Sequence, residues 1–495
     1  MNMDTALREK KINLNLFKMS GFWQILSKDS IWWVAAHAIP MAYFVFYMQI
    51  VQLARLIITH DDLKLEEFVE RFVCIASYID GTVKVFYFLA NRKLARHLAE
   101  VFEKEFLLCS KFETDLRAVR RGQDLSKMAC TFFCILIFST SLIWILTPLI
   151  QCLFFERCLY LKVIPTWFPF DQSEGFKKTL AYLLDSATVG YNALIIFTGN
   201  AWVITLIVMV CAQMNLLKSV IANIRVIAED QVNVARNNAK YGGNNKKFAG
   251  NNKEYAKNNE KYELKNAKYD SDFVNYANSN GKNEANYEKK NENFEKNTAY
   301  NEKNYQVAEN FALDKDVRNK MDELLKVCLN DHQKLLRTIG LMEKLLSPVN
   351  LFQMIVSSIM VCSTVFVMII PFALKSKRGD NGALDKMMKH GVKYSFFCAD
   401  AILELGIFSF SGLMISEQTK SMHRVFYNSD WQNASKSYKK NVLFATTRAA
   451  VPLTLTAGKF YNVDLQSFAS ILKISYSCLM LLYGLVSKRQ SEFQM

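Results

Sequence analysis

Proline and glycine are scarce in this chain, with 7 and 18 copies among 495 residues. A soluble chain of this length divides into domains joined by linkers rich in those residues, so that organisation is excluded. No pair of the 11 cysteines has C-x-x-C or zinc spacing, and most lie inside apolar blocks as small hydrophobes. H-E-x-x-H is absent, as is any inverted repeat, so neither a metalloenzyme nor a transporter is indicated, and no cofactor or metal is called for. No cleavable signal peptide is visible, because the first apolar block, from Ile31, is too long for one. What the chain does have is a 51% hydrophobic, 13% aromatic composition drawn into long uncharged blocks, and that places it in the membrane class.

The net charge of +15 suggests nucleic acid only superficially, since Lys and Arg sit beside or between apolar blocks as cytoplasmic flanks do. Residues 1–30 hold Arg8, Lys10, Lys11, Lys18 and Lys28 against three acids, and the first span follows from Ile31 to Ala54. The next loop, 56–70, is acidic through Asp61, Asp62, Glu66, Glu67 and Glu70. Basic before and acidic after predicts a cytoplasmic N-terminus. The second span, Glu70 to Leu89, carries Asp80 and Lys84 four residues apart on one face, where an internal ion pair is the first reading. Residues 91–127 hold nine Lys or Arg and six acids, a cytoplasmic balance.

The third span runs from Met128 to Leu149, and Cys152 and Cys158 near its outer edge could pair. Pro165 and Pro169 forbid helix in the loop Val163 to Phe176, whose Trp167, Phe168 and Phe170 suit an interface or a lid. The fourth span lies within Ser186 to Leu217, a run longer than a membrane requires. Helices one to four thus occupy 31–236.

From Asn237 to Tyr305 the sequence is mostly Asn, Lys, Glu, Ala and Tyr, with aromatics every seven positions from Tyr241 to Tyr276. One apolar seam position per heptad does not make a coiled coil, so a disordered low-complexity insert is expected. Its 13 Lys and 10 acids nearly cancel, which disfavours nucleic acid. A stripe from Leu324 to Leu346 then predicts a cytoplasmic anchor helix within 306–348, in which His332 reads as packed or solvated. It feeds a fifth span from Val349 to Leu374.

The loop 375–393, with six Lys or Arg and two acids, runs against the charge rule if it lies outside. The sixth span, Tyr394 to Ile415, contains Asp400 and Glu404 on one face. A cytoplasmic anchor segment fills 417–455, with a helix expected from Asn441 to Leu455. The last apolar stretch, Val463 to Leu485, is long enough to cross a bilayer yet carries four serines and Lys473. Polar groups at that depth point to a protein interior or a water-filled path. It belongs to a final segment, 456–495, containing helix seven and the C-terminus.

The C-terminal quarter resembles the insect odorant receptor family. The resemblance rests on VFYNSDW (Val425 to Trp431) and on TRAAVPLTLTAGKFYNVDLQSFASILKISYS (Thr447 to Ser477). The loop Ile164 to Asp171 and the stripe Leu324 to Leu346 support it. The resemblance implies an all-α membrane protein of seven transmembrane helices with inverted topology, in the plasma membrane of olfactory sensory neurons. It further implies a heteromeric tetramer with the odorant receptor co-receptor, forming a cation channel opened by a small volatile. Alternatives are a seven-helix receptor signalling through a G protein and a gustatory-type channel.

Carried over by position, the family's hydrophobic gate falls on Leu481 and Leu485, with Gly484 where the co-receptor has glutamine. The odorant site is expected in the outer half of the bundle between helices two, three, four and six. Its candidates are Cys74 and Tyr78, Thr140 and Trp144, Tyr191 and Ile195, and Tyr394 and Phe397, each pair spaced for one helix face.

Overall fold

At membrane depth the backbone has no water to bond, so apolar blocks of this length must satisfy their own amides as helices. The computed structural model describes residues 43–59, 65–104, 117–155, 163–164, 166–170, 175–241, 314–375 and 382–492. Most of the first span therefore lies outside the described residues, as do Cys158, Pro165, 242–305 of the insert and 306–313 of the anchor segment. Where its description begins, the chain is a wide π-type helix, Tyr43–Val51, which continues as α1 (Gln52–Ile58).

The second span is α2 (Leu65–Ala90), and a short amphipathic helix, α3 (Arg92–Lys104), follows it. The third span is the core of α4 (Arg117–Phe155), and the fourth is α5 (Gly175–Ala222). Next comes α6 (Ile224–Tyr241), so the first five residues of the expected insert are still helical. The anchor helix and the fifth span are one element, α7 (Lys315–Lys375). At 1.5 Å per residue its 61 residues extend about 90 Å, some three times the hydrocarbon thickness.

The sixth span lies in α8 (Gly382–Tyr427). The short helix expected at Asn441 to Leu455 is shifted: α9 spans Lys436–Ala449. It begins where Ser435 Oγ accepts from the Tyr438 amide at 3.0 Å, a side-chain cap. It stops short of Pro452, whose ring forbids continuation. A small exception to the all-α expectation comes next, a hairpin of β1 (Thr456–Ala457) and β2 (Tyr461–Asn462). Gly458 and Lys459 both have positive φ, 59° and 64°, and the Phe460 amide donates to the Ala457 carbonyl at 3.1 Å. Positive φ at both central residues makes this a type I′ turn, whose twist matches that of paired strands. The last span is α10 (Leu465–Glu492), capped by Asp464, whose Oδ1 accepts from the Ser467 amide at 2.8 Å.

Six helices among the described residues are long and apolar enough to cross a membrane. In α5, 78% of the apolar window is buried, which makes it the centre of its bundle, whereas α4 buries 28% and α10 only 17%. Met128, Phe132, Ile135, Leu142, Leu146 and Ile150 are exposed at helical spacing on α4, a face suited to lipid. Its opposite face packs Phe133 and Ile137 against Ala193, Ile196 and Phe197 of α5. A second cluster joins Val73 of α2 to Met360 and Val361 of α7 and Cys398 and Ala401 of α8, with Leu472 of α10 against it.

The chain forms two compact units, and all these packing clusters belong to the first: Met1–Ala222, Lys326–Ser429 and Asn441–Met495. The second comprises Asn223–Leu325 and Asp430–Lys440. Within the second, Arg236 of α6 pairs with Asp314 at 2.5 Å and Asp316 at 2.7 Å. Asp314 caps α7, and the Asp316 amide first, then Arg236, holds its carboxyl below the usual carboxylate range.

Candidate functional site

Polar side chains that alternate with small and aromatic ones along helices leave a cavity where those helices cannot close fully. Such a cavity, of about 50 Å³, lies between α2, α4, α5 and α8. From α2, Cys74, Ser77 and Tyr78 line it, three and four residues apart on one face. From α4 come Ile137, Thr140, Ser141 and Trp144. One turn and more of α5 contributes Val189, Asn192, Ala193 and Ile196. Ile164 of the loop between α4 and α5 and Phe397 and Asp400 of α8 complete the wall.

Five of the residues singled out in the sequence thus meet in one cavity: Cys74, Tyr78, Thr140, Trp144 and Phe397. Tyr394 stands just behind, its ring edge-on to Trp144 with centroids 5.8 Å apart. Tyr191 points elsewhere, edge-on to Phe44 at 5.4 Å, while Phe44 also packs on Tyr78 at 5.1 Å. Ile195 fills the gap beside Gly81. Sequence reading missed Asn192, which sits unremarked in an uncharged run, and gave Asp400 no place in a pocket.

Hydrogen bonding on the cavity wall is uneven. Thr140 and Ser141 spend their hydroxyls on the carbonyls one turn back, Leu136 and Ile137. Asn192 Nδ2 donates to Ser77 Oγ at 3.0 Å. Yet Asn192 Oδ1, Tyr78 Oη, Trp144 Nε1 and Asp400 Oδ1 are buried with no hydrogen-bond partner among the described residues. Buried polar atoms of this kind usually find partners, and four of them gather on this one small cavity.

Lys393 ties together elements beside the cavity. Lys393 Nζ lies 3.0 Å from Glu70 Oε1, 3.4 Å from the Val163 carbonyl and 3.7 Å from the Trp144 ring centroid. The loop between α4 and α5 is also pinned to α1: Gln52 donates to the Trp167 carbonyl at 2.9 Å and accepts from its amide at 3.1 Å. Arg55 covers the Trp167 ring at 4.3 Å. Beyond the cavity Lys84 holds Asp80 and Glu404, each at 2.8 Å, and Asn200 donates to the same Glu404. The Asp80–Lys84 pair read from spacing is therefore real, and Glu404 makes it a tie between α2 and α8.

On α10 the buried stripe is Ile471, Ser475 and Leu479, with Ser475 Oγ at 3.0 Å from Ser358 Oγ of α7. Leu481 is 69% exposed, and a Cβ at Gly484 would meet nothing within 4 Å. The side chain of Leu485 lies outside the described residues. His332 is buried edge-on to Phe426 at 5.3 Å, a packing role. Among the described residues no group of His, Cys, Asp and Glu could hold a metal ion.

The family model for the seven-transmembrane odorant receptors matches residues 64–476. The chain belongs to that family. It is thereby a multi-pass membrane receptor and not an enzyme. Odorant receptor 22a of Drosophila melanogaster is 28% identical over 87 residues, 18% of this chain and 22% of that one. Odorant receptor Or2 of Anopheles gambiae is 23% identical over 158 residues, 32% and 38% of the two chains. These alignments span well under half the length of either curated relative. The fold is similar to that of the insect olfactory receptor OR5 from Machilis hrabei, solved in complex with eugenol. There the TM-score is 0.64 at 12% identity, covering 98% of this chain and 100% of that one.

Proposed function

We propose that this odorant receptor is the ligand-binding subunit of a ligand-gated, non-selective cation channel. The observation that carries the reading is the cavity between α2, α4, α5 and α8, with four unpartnered polar atoms on a wall that is largely apolar and aromatic. A small volatile binds there, in the outer half of the bundle, and favours the open state by binding it more tightly than the closed one. The pore is lined by α10, most of whose surface the rest of the chain leaves uncovered. Leu481 and Leu485 form the constriction, which closes by excluding water, and Gly484 contributes no polar selectivity group.

The partner is an odorant receptor co-receptor, with which the chain forms a heteromeric tetramer in the plasma membrane of olfactory sensory neurons. The N-terminus is cytoplasmic, the C-terminus extracellular, and the long half of α7 before Val349 lies in the cytoplasm. Co-expression with a co-receptor should give odorant-evoked cation current that neither chain gives alone. Surface expression with silence across a broad volatile panel would sink the assignment. Leu481→Ala should raise leak or change permeation, and unchanged permeation returns that leucine to packing.

A further inference from the structure

The cavity's unpartnered atoms are mostly acceptors, and its nearest charges are mostly negative. Tyr78, Asn192 and Trp144 are each more than nine-tenths buried, so Tyr78 Oη, Asn192 Oδ1 and Trp144 Nε1 meet only what enters the cavity. Asp400 Oδ1 is equally enclosed. Three of the four can accept a hydrogen bond: Asp400 Oδ1, Asn192 Oδ1 and the Tyr78 hydroxyl.

Asp400 lies one helical turn from Glu404 on α8, and Lys84 already serves Glu404 and Asp80 at 2.8 Å each. One ammonium thus stands against three carboxylates in this part of the bundle. The other nearby ammonium, Lys393, is engaged by Glu70 and the Val163 carbonyl and adds no net positive charge. A carboxylate oxygen turned away from water favours a cation beside it, and none of the described residues gives Asp400 Oδ1 a hydrogen-bond donor.

We propose that the cavity selects a small primary amine, bound as its ammonium. An ammonium has three N–H donors for the three acceptors, and its positive charge answers Asp400. Trp144 and Phe397, with ring centroids 5.6 Å apart, and Tyr78 supply aromatic walls that favour a cation at their faces. The carbon body is short. A water needs about 10–15 Å³ of such space, so a cavity of about 50 Å³ takes a molecule of a few heavy atoms. A hydrocarbon of the same shape pairs none of these atoms, and an ester or ether, which can accept from Trp144 Nε1 and the Tyr78 hydroxyl, still brings no donor for Asp400 Oδ1 or Asn192 Oδ1, a mismatch that a site built for hydrogen bonds rejects.

This inference rests on the cavity's being the ligand site of a channel subunit, so its test separates the two. The full chain is co-expressed with an odorant co-receptor, and currents are recorded for isobutylamine, isobutanol and 2-methylbutane, which differ only in one terminal group. The expected order is isobutylamine first, with half-maximal current at a concentration at least about tenfold below that for isobutanol, as one charge-assisted bond implies. Equal potency, or isobutanol ahead of isobutylamine, overturns the inference and leaves the channel reading intact. Current from other volatiles with none from isobutylamine does the same. Silence to every compound, at normal surface levels, overturns both.

Asp400→Asn removes the charge at constant shape and should collapse the amine-to-alcohol potency ratio toward one. Asp400→Glu should restore a large part of it. A wild-type ratio in surface-expressed Asp400→Asn refutes the role of Asp400. Should neither variant reach the surface, the ranking of the three compounds on the unaltered chain decides.

Discussion

The Lys393 ammonium stands 3.7 Å from the centre of the Trp144 ring while it pairs with Glu70 at 3.0 Å. One side chain therefore ties the start of α8 to α2 and to the cavity-lining face of α4. Tightening the cavity from its edge costs the ligand nothing, because Lys393 itself is not among the lining residues.

Lys393→Met keeps the length and loses the charge, so Glu70 loses its cation and Trp144 keeps only its ring contacts with Tyr394 and Phe397 on α8. Desolvated cation–π contacts are worth up to about 2 kcal/mol. Odorant potency should fall by about tenfold, the equivalent of about 1.4 kcal/mol, with faster decay of current on washout. Lys393→Arg should retain most of the wild-type concentration–response curve. No change in either quantity for Lys393→Met would remove this tie from the mechanism.

Lys84→Met leaves Asp80 and Glu404 buried side by side without their cation. Breaking one partner of a buried ion pair typically destabilises by about 3–5 kcal/mol. The thermal midpoint of the purified full-length protein in detergent should drop sharply. Adding Asp80→Leu and Glu404→Leu to Lys84→Met should recover stability, since an apolar replacement of the whole group is close to neutral.

Gly412 marks where α8 meets the entry to α10. A Cβ there would overlap the Val463 carbonyl oxygen, a backbone atom that cannot swing aside. Gly412→Ala should lower the thermal midpoint by more than the usual overpacking cost of about 1–3 kcal/mol implies. Gly406→Ala, whose added Cβ meets only a Phe468 ring carbon at 3.7 Å, serves as the control and should be mild.

The hairpin before α10 hangs on α7. The Thr456 amide donates to Glu343 Oε2 at 2.9 Å, the Gly458 amide donates to the Ser347 carbonyl at 2.8 Å, and Asn350 Nδ2 donates to the Thr456 carbonyl at 3.2 Å. Glu343, Ser347 and Asn350 are one stripe of α7, four and three apart. Glu343→Gln removes the charge from two bonds, those from the Thr456 amide and hydroxyl, and charged hydrogen bonds are worth about 1.5–3 kcal/mol each. Amide exchange across 455–463 should quicken, whereas Lys344→Gln on the exposed side should leave it unchanged.

Much of this fold is legible along the chain. Uncharged blocks of twenty residues or more mark spans, because length and apolarity are local properties. Asp80 and Lys84 announce their pairing because a spacing of four fixes a helix face. The same spacing is enough to match Cys74 with Tyr78 and Thr140 with Trp144. The hairpin escapes such reading because its signal is two positive-φ residues, Gly458 and Lys459, and a lysine seldom advertises that conformation. Lys393 counts as one more charge of a basic loop, since nothing local says that one of six cations turns inward.

The sequence by itself determined the helices and the membrane class. Those follow from hydropathy and period, which each segment carries alone. Only the tertiary structure decided which polar groups meet: that Glu404, 320 residues along the chain, shares Lys84 with Asp80, and that Asn192 and Asp400 face one cavity. Such partnerships depend on how α2, α4, α5 and α8 rotate against one another. That rotation is set by the packing of all their faces together, and no single stretch of sequence contains it.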